Sequence, residues 1–96
     1  MPSPSVLIGD DHALILSGIH ALLEKHYRVL GTARDGRQLV ESAKQLRPDI
    51  VILDLSMPEL NGIEAAKQIR AALPATKLIF LSMHSNPAYL RKALEA

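Results

Sequence analysis

Four short apolar runs alternate along the chain with longer stretches in which apolar residues recur every three or four positions. The runs lie at residues 6–8, 29–33, 50–53 and 78–81, and their lengths are typical of strands. The third run, Ile50-Val51-Ile52-Leu53, has no polar alternation, as expected for a strand covered on both faces. The pattern predicts a repeat of strands and helices.

Each of the first three periodic stretches predicts a helix with one apolar face directed at a sheet. The predicted faces are Ile15, Leu16, Ile19, Leu22 and Leu23 in the first helix, Leu39, Val40, Ala43 and Leu46 in the second, and Ile63, Ala66, Ile69 and Leu73 in the third. Asp35 with Gln38 and Asn61 with Glu64 have the spacing of capping boxes. An Asn-Pro pair at 86–87 suits the start of a fourth helix.

Short loops and right-handed crossovers make a three-layer open parallel sheet of the α/β class the simplest arrangement. Strand one is placed in the interior, because strand two carries polar residues such as Arg28 and Thr32. The predicted strand order is 2-1-3-4. In this order the carboxyl ends of strands one and three meet where the winding reverses, which is the usual place for a ligand.

Composition limits the classes of function that remain. We expect a single domain over residues 1–96, since 96 residues can build only one modest core. Eleven basic and ten acidic residues give a net charge of +1 without a basic stripe, so direct nucleic-acid binding is not expected. The absence of cysteine excludes disulfides and thiolate metal sites. Without an apolar stretch of about 20 residues or a signal peptide, we expect a cytoplasmic protein with no membrane partner.

Acidic residues end both strands that meet at the reversal point. Asp10 and Asp11 follow strand one, and Asp54 ends strand three. Three carboxylates at one edge repel each other, so keeping all of them ionised calls for a cation or for shifted pKa values. An all-oxygen site suits Mg²⁺. We predict Asp11, Asp54 and the backbone carbonyl of Ser56 as ligands, with Asp10 binding through water.

Each half of this site also has a plainer explanation. An acidic pair before a helix is, by itself, more often a helix cap. Asp54 alone could be a turn residue at a strand end. These explanations leave open why both strands at the reversal point end in Asp, so the metal site is the preferred interpretation.

The motifs resemble those of the response-regulator receiver family of bacterial two-component signalling. The resemblance is carried by Asp10-Asp11, by the stretch Asp54-Leu55-Ser56-Met57-Pro58-Glu59-Leu60-Asn61-Gly62, and by Ser82 at the end of strand four. Residues 82–84 and 88–96 are most similar to the NarL/FixJ branch, whose members usually carry a C-terminal helix-turn-helix domain. The resemblance implies a flavodoxin-like fold, in agreement with the order 2-1-3-4.

The resemblance also implies roles for individual residues. Asp54 would accept a phosphoryl group from a sensor histidine kinase, and Asp10 and Asp11 would form the Mg²⁺ pocket. Ser82 would be the switch hydroxyl that donates a hydrogen bond to the phosphoryl group. Phosphorylation would then control an attached output domain. Any binding to DNA would be made by that domain only.

The four histidines show no metal-ligand spacing, and most are expected to face solvent. They are His12, His20, His26 and His84. His84 follows Ser82 by two positions, so it is a candidate for altering the lifetime of the phosphate.

The sequence departs from the family pattern at its carboxyl end. Family members have a fifth strand ending in a lysine and then a fifth helix, whereas this sequence stops near the end of helix four. Lys77, at the start of strand four, and Lys92, on a helix, cannot take the role of that lysine. Residues 78–81 would form an apolar edge strand. We expect either a fragment of a longer regulator or a homodimer that pairs or exchanges elements through strand four and helix four.

Two other functions compete with a signalling receiver. A Mg²⁺-dependent phosphohydrolase of the haloacid-dehalogenase class would need a second Asp two positions after the nucleophile, where this chain has Ser56. A pseudo-receiver that is never phosphorylated and acts as an interaction or dimerisation module is the other alternative. We expect a receiver that is not an enzyme beyond its own phosphorylation and dephosphorylation.

Overall fold

A computed structural model describes residues 3–54 and 60–81 of the chain. Strands and helices alternate in the order β1 Ser5–Gly9, α1 Ala13–Leu23, β2 Arg28–Ala33, α2 Gly36–Leu46, β3 Ile50–Asp54, α3 Gly62–Ala72 and β4 Lys77–Leu81. The four predicted strands and first three helices are therefore confirmed. The predicted fourth helix, with its Asn-Pro start signal, lies outside the described residues.

The four strands form one parallel sheet in the order β2-β1-β3-β4, as predicted. β1 pairs with β3 in a register that sets Val6 beside Ile50 and Gly9 beside Leu53. β1 and β3 therefore end level with each other. Lys77 pairs with Ile50 at the opposite end of the sheet, which confirms its predicted position away from the acidic residues.

The core has two parts, one on each face of the sheet. One cluster packs α2 and α3 against the sheet, with Leu7, Leu39, Leu53 and Ile69 fully buried. The other cluster contains Leu16 of α1 together with strand residues such as Ile8 and Ile52. Helices thus cover both faces, which confirms the three-layer arrangement.

The predicted helix faces are wrong at three positions. Leu22 is 68% exposed, because α1 contacts the sheet through a narrower stripe of Leu16, Ile19 and Leu23. Ile63 is 52% exposed, and Ala65 takes its place in the core. Leu46 is 44% exposed because it is the last residue of α2 and lies beside β2, the edge strand.

Polar side chains cap the amino ends of helices α2 and α3, as predicted. Oδ1 of Asp35 accepts the backbone N–H of Gln38 at 2.7 Å, and Oδ1 of Asn61 accepts that of Glu64 at 2.9 Å. The side chain of Gln38 accepts the backbone N–H of Arg34 at 3.1 Å, one residue earlier than in a standard capping box. These caps define how the chain enters each helix.

Within the described residues, no helix combines the length and apolar character needed to cross a bilayer.

Candidate metal centre at the carboxyl end of the sheet

Asp10 and Asp54 lie side by side at the carboxyl ends of β1 and β3. Gly9 pairs with Leu53, and the aspartates are the residues that follow them, Asp10 just after β1 and Asp54 at the end of β3. Both are almost fully buried, at 3% and 4% exposure. Burying a carboxylate is costly unless a positive charge or hydrogen-bond donors surround it, so a nearby positive charge stabilises this pair.

Asp11 and His12 complete the cluster. The Nδ1 atom of His12 lies 3.0 Å from Oδ1 of Asp10, 2.9 Å from Oδ1 of Asp11 and 3.8 Å from Oδ2 of Asp54. The ring nitrogen therefore faces all three carboxylates. The His12 side chain is still 46% exposed, so the cluster opens to solvent on this side.

Among residues 3–54 and 60–81, Asp10, Asp11, His12 and Asp54 form a group that could hold a metal ion, with one ligand atom from each lying within 4.8 Å of the others. The predicted gathering of the three carboxylates is confirmed. Buried carboxylate oxygens brought this close fit a hard divalent cation. The ligand and phosphoacceptor roles of the individual residues stay predictions.

The carboxylates raise the pKa of His12 above its ordinary value of 6.5. The hydrogen bond with Asp10 is the largest cause, the negative charge of Asp11 is the second, and partial desolvation opposes them. Protonated His12 therefore supplies positive charge to the cluster. Its stabilising effect on the folded state is complete below pH 6.5 and is lost as the pH rises through the higher folded pKa.

The contact between His12 and the carboxylates was missed by the sequence analysis, which grouped the histidines as mostly solvent-facing. The ring is half-exposed, but its position is determined by the backbone. His12 is the N-cap residue of α1, and its backbone N–H donates to Oδ1 of Asp10 at 2.8 Å. A histidine directly after an acidic pair at a strand-to-helix turn was the available signal.

The same hydrogen bond bears on the helix-cap explanation for the acidic pair. His12, and neither aspartate, is the N-cap residue of α1. The side chain of Asp10 accepts a hydrogen bond from the backbone N–H two residues later, a common arrangement for Asp before a helix. This turn uses Oδ1 of Asp10 and is compatible with a place in the cluster.

Arg34 is a second residue near the site that the sequence analysis did not identify. Its Nη2 donates to the carbonyl oxygen of Asp11 at 3.4 Å, which is a long hydrogen bond at an exposed position. Arg34 follows β2 directly, so β2 and the turn after β1 are linked at this edge.

Ser56 and Ser82 lie outside the described residues, as does His84. The predicted carbonyl ligand, the switch hydroxyl and the effect on phosphate lifetime therefore stay predictions.

Comparisons with known proteins agree with the fold. The family described as the response regulator receiver domain matches residues 6–96. The transcriptional regulatory protein LnrK of Bacillus subtilis is 38% identical over 92 residues, which are 94% of this chain and 42% of LnrK. The chain thus spans less than half the length of this relative.

Two solved structures are similar over nearly the whole chain. The signal receiver domain of NarL from Mycobacterium tuberculosis has a TM-score of 0.83 and 34% identity, covering 99% of this chain and 78% of that domain. The isolated receiver domain of RcsB from Salmonella enterica, solved with the phosphomimetic BeF3⁻, has a TM-score of 0.80 and 35% identity, covering 97% and 71%. With the family match over residues 6–96, these similarities show that the chain belongs to the response regulator receiver domain family.

Proposed function

We propose that Asp54 accepts a phosphoryl group from the phosphohistidine of a sensor histidine kinase and that the modified domain controls an attached output. The observation that carries this proposal is the position of Asp54, which ends β3 beside Asp10 and within 4.8 Å, ligand atom to ligand atom, of Asp11 and His12. A carboxylate at the carboxyl end of a parallel strand lies where such sheets bind their ligands, and the neighbouring acidic side chains could bind the required cation.

The chemistry is a single displacement at phosphorus. A carboxylate oxygen of Asp54 attacks the phosphorus in line, the phosphorus–nitrogen bond of the phosphohistidine breaks, and its electron pair returns to the imidazole, which takes up a proton from solvent. The product is an acyl phosphate on Asp54. No oxidant or second substrate is needed.

Asp11, Asp54 and the carbonyl of Ser56 are proposed to hold Mg²⁺ directly, with Asp10 acting through water. When bound, the metal supplies positive charge to the phosphoryl oxygens. The described residues fit this ion, because Asp10 and Asp54 are buried carboxylates in one cluster with Asp11. Ser82 is proposed as the hydroxyl that donates to the phosphoryl group and biases the domain toward its active form.

The proposed output is a DNA-binding domain that controls transcription. LnrK is a transcriptional regulatory protein by name and is more than twice as long as the matched segment. The phosphomimetic in the RcsB receiver supports phosphorylation as the signal in this branch. We further propose a cytoplasmic location, where a kinase has access to ATP, and dimerisation through strand four and helix four.

Incubation of the chain with acetyl phosphate and Mg²⁺, followed by intact-mass spectrometry, tests the proposal. We expect a gain of one phosphoryl group that is lost in Asp54→Asn and when EDTA removes the metal. The matched control is Glu41→Gln, an exposed carboxylate on α2, which should be modified like the original chain. If Asp54→Asn still gained the mass of one phosphoryl group, the modification would be on another residue.

The same experiment separates the two alternatives. A pseudo-receiver would show no modification at any donor concentration. A phosphohydrolase would release phosphate continuously from many phosphoesters, with no lasting modification of the chain. Stoichiometric labelling of Asp54 is the outcome that supports a receiver.

A further inference from the structure

We propose that Nδ1 of His12 is a direct ligand of the cation held by the three carboxylates, so that this pocket prefers transition metals such as Co²⁺, relative to Mg²⁺, more strongly than an all-oxygen pocket would. The inference rests on the proposed metal site and adds a nitrogen ligand to it. It concerns which ions the site takes, and it is independent of the phosphoryl transfer.

The distances around His12 match those between ligands of one ion. Neighbouring ligands of an octahedral ion with bonds of about 2.1 Å lie about 3.0 Å apart, and opposite ligands about 4.2 Å apart. Nδ1 lies 3.0 Å from Oδ1 of Asp10 and 2.9 Å from Oδ1 of Asp11. Its 3.8 Å distance from Oδ2 of Asp54 falls between the two values. One small ion can therefore bind Nδ1 together with Asp11 and Asp54 after modest movement, with Asp10 close enough to act through a bound water.

The backbone holds the imidazole in this position. The N–H of His12 donates to Oδ1 of Asp10 at 2.8 Å, and residue 12 is the N-cap of α1. The backbone of residue 12 therefore holds the base of the side chain beside the carboxylates. Its other side is open to solvent, because the side chain is 46% exposed, so an ion can enter without movement of the core.

Nδ1 lies close to more oxygen atoms than it has hydrogens to donate. A ring nitrogen carries at most one hydrogen, yet Nδ1 lies within 3.0 Å of oxygens from both Asp10 and Asp11. One hydrogen shared between two oxygens makes two bent and weaker hydrogen bonds. A metal ion in the cluster would bind the nitrogen and the Asp11 oxygen directly, while Oδ1 of Asp10 keeps its hydrogen bond from the backbone N–H of His12.

The ligand type decides the ion preference. Mg²⁺ favours oxygen ligands and keeps several waters, so it gains little from an imidazole. Co²⁺, Ni²⁺ and Zn²⁺ bind imidazole well, and their affinities for a mixed nitrogen and oxygen site exceed that of Mn²⁺. Loss of His12 should therefore weaken Co²⁺ binding and leave Mg²⁺ binding nearly unchanged.

The test is a titration of the full chain with Co²⁺ and separately with Mg²⁺, at about pH 8 so that fewer protons compete with the metal for the imidazole nitrogen. Calorimetry gives the affinities, and the visible absorption of Co²⁺ reports nitrogen ligation. We compare the original chain with His12→Ala and with His12→Gln, which keeps a polar side chain. His26→Ala is the matched control, because His26 is an exposed histidine outside the cluster.

We expect both His12 variants to lose Co²⁺ affinity by about tenfold or more, the scale on which even outer partners of a metal site act. Their Mg²⁺ affinity should stay within about twofold, and His26→Ala should match the original chain for both ions. Unchanged Co²⁺ affinity, equal loss for both ions, or a gain for both ions would overturn the proposal. A gain for both would mean that the ring only competes with the cation.

This assay contains no phosphodonor, so its result is separable from the proposed function. Unchanged Co²⁺ affinity in the His12 variants would remove His12 as a ligand and leave phosphorylation of Asp54 standing. Failure of Asp54 to be phosphorylated would leave the cobalt result unchanged.

Discussion

Ser5 and Asp49 bind each other through three hydrogen bonds at the amino end of the sheet. The N–H and the hydroxyl of Ser5 both donate to Oδ2 of Asp49, at 2.8 and 3.1 Å, and the N–H of Asp49 donates to Oγ of Ser5 at 2.9 Å. These residues directly precede Val6 and Ile50, which are paired across β1 and β3. The contact therefore supports the register that sets Asp10 level with the end of β3.

Replacing Ser5 by Ala should destabilise the domain. The change removes the two bonds made by the hydroxyl at a position that is only 3% exposed. We expect the free energy of unfolding to fall by about 1–2 kcal/mol, measured by urea denaturation. Ser17→Ala, at an exposed position of α1, is the control and should change it by no more than about 0.5 kcal/mol. Equal effects of the two substitutions would contradict a role for the Ser5 hydroxyl.

The contact with Ser5 should also make stability depend on pH in acid. The N–H of Ser5, and then its hydroxyl, lower the pKa of Asp49 from its ordinary value of 3.8. A lowered folded pKa means that the stabilisation is present above pH 3.8 and is lost as the pH falls through the lower folded value. We expect the original chain to lose more stability than Asp49→Asn between neutral pH and about pH 3. Parallel stability curves for the two proteins would exclude this contribution.

Gly36, the first residue of α2, leaves no room for a side chain. A Cβ atom there would overlap the backbone carbonyl of Leu60, which precedes α3. Gly36→Ala must displace one of these segments, so we expect a loss of about 1–3 kcal/mol in the free energy of unfolding. Gly18→Ala is the matched control, because a Cβ at Gly18 meets no atom within 4 Å and Gly18 lies inside α1.

Gly18→Ala should stabilise the domain by roughly 0.5–1 kcal/mol, since alanine favours the helix. Both values come from the same chemical denaturation experiment. A stabilising Gly36→Ala would show that the start of α2 can move away from Leu60. Because Leu60 lies only six residues after Asp54 in the sequence, a destabilised Gly36→Ala should also be phosphorylated more slowly.

The fold was predictable from the sequence because local patterns and topology rules agree. Apolar runs located the four strands, and the caps at Asp35 and Asn61 were identified from spacing alone. Errors arose at the edges of helix faces. Leu22 and Ile63 have the right residue type for a core, but the width of the buried stripe depends on how closely each helix approaches the sheet, which periodicity does not specify.

The candidate site was predictable only in part. Parallel strands end at one edge, so the meeting of Asp10 with Asp54 followed from the strand order. The contacts of His12 depend on the backbone turn after β1 and on a side-chain rotamer, and neither is encoded by residue spacing. The packing of Gly36 on Leu60 is also invisible to local patterns, because the two residues are far apart along the chain.

Mg²⁺ should stabilise the folded chain by binding to the acidic cluster. Asp10, Asp11 and Asp54 are brought together only in the folded state, so a bound cation shifts the folding equilibrium by mass action. At a free Mg²⁺ concentration about tenfold above the dissociation constant, we expect a gain of about 1.4 kcal/mol in the free energy of unfolding. Asp11→Asn, which removes one charge at a partly exposed position, should lose most of this gain. Sodium chloride at equal ionic strength is the control, because general screening would stabilise both proteins alike. If the salt reproduced the effect, or if Asp11→Asn kept it, the stabilisation would come from relief of repulsion among the carboxylates and not from a bound ion.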